Sequence, residues 1–103
     1  MRVVVRPKTF TAQLQILLDQ GAPKFGMRVV EAKLAELDRT LDVFLVAHPE
    51  AKPANQRFGL RVYPISKTPF VVLYDFDDSE LRVHFVFHRS ADLGDLDPAS
   101  AEW

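Results

Sequence analysis

"GLRVYPISKTPFVVLYDFDDSELRVHFVFHR", residues 59–89, carries three successive strand signals. Residues 59–66, 70–76 and 80–88 are rich in β-branched and aromatic side chains. Lys67 and Thr68 supply the first turn, and the acidic run DFDDSE the second. The spacing predicts an antiparallel meander. In its last strand Leu81, Val83, Phe85 and Phe87 alternate with Arg82, His84, Val86 and His88. That period of two is a half-buried strand. It puts His84 and His88 on one face, about 13 Å apart, too far to share a metal ion bound at about 2 Å from each nitrogen.

Upstream, "RVVVR" at residues 2–6 predicts a short strand stopped by Pro7. Phe10, Leu14, Leu17 and Leu18 recur at helical steps over residues 9–20. Thr9 is the expected N-cap and Gly21 the expected stop. Pro23 then opens a second helix at its first turn. Val30, Leu34, Leu37, Leu41, Phe44 and Leu45 give that helix one apolar stripe, ending near His48 before Pro49. Lys33, Glu36, Arg39 and Asp42 face water. The short link between the helices predicts an antiparallel hairpin. Residues 48–56 are a polar loop. The order strand, helix, helix, strand, strand, strand (β-α-α-β-β-β) makes a two-layer α+β domain. Its helices cover one sheet face, the N-terminal strand joins the sheet edge, and the opposite face is left open to solvent or a partner.

With 103 residues, one domain over residues 1–103 is expected, ending in an acidic tail from about residue 90. Without cysteine, disulfides, thiolate metal sites and cysteine nucleophiles are excluded. No apolar run approaches the roughly 20 residues of a membrane span, and "MRVVVRPK" is too short for a signal peptide. A cytoplasmic protein with no membrane contact is the expectation. Net charge is −1, unevenly placed: residues 1–70 carry an excess of positive charge and residues 71–103 an excess of negative. A protein holding nucleic acid mainly through phosphates would be more basic. The four glycines are scattered, so there is no phosphate loop, and no serine sits in a nucleophile elbow. The Asp75–Glu80 acids lack the glycine and distal glutamate of a calcium loop. No metal and no cofactor is expected.

The candidate chemistry lies in cations. Arg57 and Arg61 fall in or near the first meander strand, and Lys67 in its turn. Arg82, His84, His88 and Arg89 fall in or just after the last strand. Neighbouring antiparallel strands could gather some of these on the open face, where such a cluster positions phosphates and moves protons. The plainer alternative is a set of polar residues on a wet sheet face. His48 at a helix C-terminus is structural.

The element order and residues 59–89 resemble the RelE/ParE superfamily of type II toxins. The marks are Leu60-Arg61, Leu73-Tyr74, the turn acids Asp77-Asp78, and His88-Arg89, with His48-Pro49 closing the long helix. The resemblance implies a toxin of a toxin–antitoxin pair, with a cognate antitoxin, ParD-like or other, that wraps it. RelE-like members cleave mRNA on the ribosome; ParE-like members are associated with inhibition of DNA gyrase. Nuclease members commonly carry an arginine in the middle strand where this chain has Val71, and valine can neither hold phosphate nor stabilise developing charge. The expectation is therefore a ParE-like toxin that binds gyrase without catalysis, its target-binding residues being Arg57, Arg61, Lys67, His88, Arg89 and Trp103. In the alternative, an mRNA endonuclease, Arg61 contacts phosphate, His88 is acid or base, and Arg89 stabilises charge.

Overall fold

The computed structural model describes residues 2–51 and 59–91. Val3–Val5 form β1, Lys8–Phe25 α1 and Met27–Arg39 α2. The second helix runs on through a π-helical segment, Thr40–Leu45, and a 3₁₀ turn follows at Pro49–Ala51. Arg61–Pro64 is β2, Phe70–Phe76 β3 and Glu80–His88 β4. The meander is present as expected. The sheet order is β1-β4-β3-β2, with β1 parallel to β4 and the other pairs antiparallel. The N-terminal strand thus joins the edge, making a mixed sheet in an α+β fold.

The helix boundary differs from expectation. Gly21 and Pro23 both lie inside α1. Pro23 forfeits only one backbone bond in the last turn, a loss the packed helix absorbs. The break comes at Gly26, whose φ of 83° and ψ of 160° belong to a region open essentially to glycine. Its N–H still closes on Ala22 O at 2.9 Å, and its carbonyl accepts from Val30 N at 3.2 Å. One residue therefore ends α1 and starts α2. At the other end Pro7, not Thr9, is the N-cap; its carbonyl accepts from the backbone and hydroxyl of Thr11.

Phe10, Leu14, Leu37, Leu41 and Leu45 from the helices pack on Val72, Tyr74, Leu81, Val83 and Val86 of the sheet. Apolar burial of this kind contributes about 25 cal/mol per Å². Arg6 pins the end of β1 to the second helix through Asp38 (3.0 Å) and Asp42 (3.3 Å), so Asp42 does not simply face water. The π-helical segment keeps Leu41 and Leu45 inward but leaves Phe44 39% exposed. A widened turn shifts the stripe, and Phe44 leaves the inward set predicted for it.

Strand β4 also departs from its expected alternation. Leu73 pairs with Phe85 and Tyr74 with Val83, so His84 is an extra residue: a β-bulge. It inverts the alternation. Leu81, Val83 and Val86 belong to the helix-side core, whereas Phe85 packs with Leu60 and Leu73 in a second cluster joined by Val62, Val71 and Phe87. The face opposite the helices is therefore apolar in its middle, with Leu73 and Phe85 buried. His84 and His88 no longer share a face.

Candidate functional site

Three places on the fold gather chemistry. The first is the end of the sheet where the β2–β3 turn meets the close of β4. Phe70 pairs with His88, and Arg89 N donates to Pro69 O at 2.6 Å. The turn is held by Thr68, which is buried; its hydroxyl donates to Ile65 O (2.9 Å) and accepts from Phe70 N (3.1 Å). Lys67 sits at φ 64°, the left-handed region, where a non-glycine residue is uncommon. The Arg89 guanidinium donates to Thr68 O at 2.9 Å. The Ser90 N–H donates to His88 Nδ1 (3.1 Å), which places the neutral ring's proton on Nε2. Lys67, His88 and Arg89 thus share one shallow depression with Lys33 and Phe25 from the helical hairpin.

Arg61 lies elsewhere. It pairs with Tyr74, four residues along β3 from the Phe70–His88 row, or roughly 13 Å away. Tyr74 belongs to the helix-side core, so Arg61 projects on that side, not onto the opposite face. Its guanidinium carbon stands 4.9 Å from the Phe76 ring centre, and that of Arg2 stands 5.1 Å from it. The fold brings Lys67, His88 and Arg89 together and holds Arg61 apart from them. Arg57 and Trp103 lie outside the described residues.

Arg82 and His84 belong to an acidic network. Arg82 reaches Asp75 (2.8 Å), Asp77 (2.8 Å) and Glu80 (3.2 Å), and His84 Nε2 lies 3.1 Å from Asp75. The Arg82 bond, with N–H groups of Ser79 and Glu80, holds the Asp77 carboxyl well below the ordinary carboxylate range. Asp77 and Asp75 in turn hold the Arg82 guanidinium in its charged form. This network is a closed set of ion pairs at a turn. Among the described residues no group of three or more His, Asp or Glu side chains could hold a metal ion.

The third place is a groove where β2 forms the sheet edge. Val43, Phe44, Ala47 and His48 line it from the helical side, Tyr63 and Lys67 from β2 and its turn. The Phe44 ring lies 5.4 Å from His48 and 5.7 Å from Tyr63. Among the described residues no strand pairs with the outer side of β2. Phe44 and the hairpin lysines Lys24 and Lys33 escaped sequence reasoning. Phe44 fitted the inward stripe until the π-helical segment displaced it. The lysines read as surface charge, although their positions on either side of Gly26 were a usable signal once the break was placed there.

Val71, where the resemblance expects arginine in a nuclease, packs against the Leu60–Leu73–Phe85 cluster. Among solved structures the chain is similar to one from "Chromosomal ParDE TA system from P. aeruginosa", with a TM-score of 0.67. The match covers 85% of this chain and 96% of that one. The two chains share one fold. Sequence identity is 16%, so the likeness is one of architecture. No family model matches the chain, and no curated protein matches it. No helix among the described residues is long and apolar enough to cross a membrane.

Proposed function

We propose that this chain, as one domain, is the toxin of a type II toxin–antitoxin pair and acts in the cytoplasm. It is ParE-like, binding DNA gyrase rather than catalysing a reaction of its own. The fold shared with a ParDE-system chain carries this reading. Two features of the site support it. The Val71 position is committed to apolar packing. The residues named for a nuclease are split, with Arg61 remote from His88 and Arg89. Target contact falls to Lys67, His88 and Arg89, which share a surface, together with Arg57, Arg61 and Trp103.

The antitoxin's place is the groove beside β2. An added strand can pair with the open edge, and an apolar side chain can rest on Val43, Phe44 and Tyr63. An amphipathic antitoxin segment should raise the melting temperature of the chain; no shift at saturation counts against this docking.

The test of the activity adds purified chain to a gyrase supercoiling assay and to ribosomes programmed with mRNA. Loss of supercoiling with intact mRNA is the expected result. Cleavage of mRNA, abolished by His88→Ala and Arg89→Ala, would instead establish the endonuclease reading.

A further inference from the structure

Gly21 occupies the interior of α1, where alanine would be the better helix former. Its φ is not positive, so the backbone does not require glycine. Nor do its neighbours: an added Cβ would meet Val30 Cγ2 at 3.5 Å and Phe25 Cδ2 at 4.0 Å, ordinary contacts. What a Cβ would occupy is a cavity. Gly21, Val30 and Phe25 all line an opening of about 110 Å³ between the hairpin and the end of the sheet.

The floor is apolar, made by Leu17, Leu18, Val30 and Phe70. Lys24, Lys33 and His88 stand around it, and the Lys33 ammonium lies 4.3 Å from the Phe25 ring centre. Lys67 and Arg89 border the adjoining depression, which shares Phe25, Lys33 and His88 with the cavity. None of the described residues lining either space is acidic. The volume suits one aliphatic or small aromatic side chain; apolar cavities of ~150 Å³ take benzene. The cations suit carboxylates on both sides of that side chain.

We propose that this cavity is a socket for a single apolar side chain carried by an acidic peptide segment. The apolar group fills the space that Gly21 leaves, while flanking carboxylates meet Lys24 and Lys33, with His88 and Arg89 beyond. The socket shares no lining residue with the β2 groove. It does take in His88 and Arg89 of the proposed target surface, but its test reads peptide binding rather than toxicity, so either reading can fail without the other.

The experiment uses the whole chain and three acetylated pentapeptides: Asp-Asp-Leu-Asp-Asp, its Ser-centred version, and its Asn-flanked version. Binding is followed by calorimetry and by methyl NMR of Leu17, Leu18 and Val30. The Leu-centred acidic peptide should bind at least about tenfold more tightly than either control and shift those methyls. Gly21→Ala should raise the melting temperature by roughly 3–6 °C yet weaken the peptide several-fold. That combination separates loss of the socket from loss of the fold. Lys24→Gln with Lys33→Gln should weaken binding about tenfold and flatten its salt dependence. Equal binding of the three peptides, unmoved methyls, or undiminished affinity in Gly21→Ala would overturn the proposal. So would a single-stranded oligonucleotide that displaces the peptide while shifting the same methyls.

Discussion

The Tyr74 hydroxyl donates to Pro49 O at 2.7 Å, joining the middle of the sheet to the turn that follows the long helix. Tyr74 is fully buried and belongs to the helix-side core. Its ring fills space and its hydroxyl satisfies a carbonyl 25 residues away in sequence. Tyr74→Phe keeps the first role and removes the second. The expected cost is about 1–2 kcal/mol, for a buried acceptor left without its donor. Urea denaturation should show a lower midpoint at unchanged slope.

Gly26 makes the opposite kind of prediction from Gly21. At φ 83° and ψ 160° a Cβ is strained although no neighbouring atom lies within 4 Å of it. Gly26→Ala should therefore destabilise by about 1–3 kcal/mol, with the loss seen as a lower melting temperature. The two glycine substitutions, five residues apart in one helical hairpin, should move stability in opposite directions.

Acid should act through Asp77. Its carboxylate accepts from Arg82 and from the N–H groups of Ser79 and Glu80, and these bonds hold it well below its ordinary value of 3.8. A carboxyl depressed on folding contributes stability that is complete above its unfolded value and is lost as pH falls below it. Melting temperature should drop between about pH 4 and pH 2. Asp77→Asn, which keeps an acceptor for the turn but no charge, should flatten that drop. An equally steep drop in the variant would show that other carboxylates govern it.

Val43 is 64% exposed and Phe44 39%, although both belong to the longest helical run. Replacing Val43 by Ser or Phe44 by Ala should change stability by no more than about 0.5–1 kcal/mol. If the β2 groove takes an antitoxin segment, the same changes should weaken that complex by about 10–100-fold. Titration of the segment into wild-type and variant chains checks this, with thermal melts as the control.

The meander was legible because its three strands keep β-branched and aromatic residues between clear turn signals, and Phe70–Phe76 and Glu80–His88 have the expected bounds. The hairpin was legible in its apolar stripe but not in its break. Gly21 and Pro23 look like punctuation, whereas Gly26 carries the backbone angles that stop a helix. The alternation in β4 failed at His84, because a bulge adds a residue that no sequence period announces. That single residue decided where His88 went. It moved His88 to the helix side, against Phe70 and the hairpin lysines, while His84 stayed by Asp75. The candidate site was thus legible as a set of residue types, since Lys67, His88 and Arg89 do meet. Arg61 stands apart from them although it too is on the helix side, because it pairs with Tyr74, four residues along β3 from the Phe70–His88 row, a distance set by register rather than by neighbours in sequence.

The two borders of the sheet are finished differently. Beyond the three residues of β1, the Val86 N–H is taken by Gln13 Oε1 at 3.0 Å, a side chain reaching over from α1. On the far border, no strand pairs with the outer side of β2 among the described residues. A strand added to this sheet therefore finds backbone to pair with on the β2 border, whereas along β4 beyond β1 it would have to displace the Gln13 side chain.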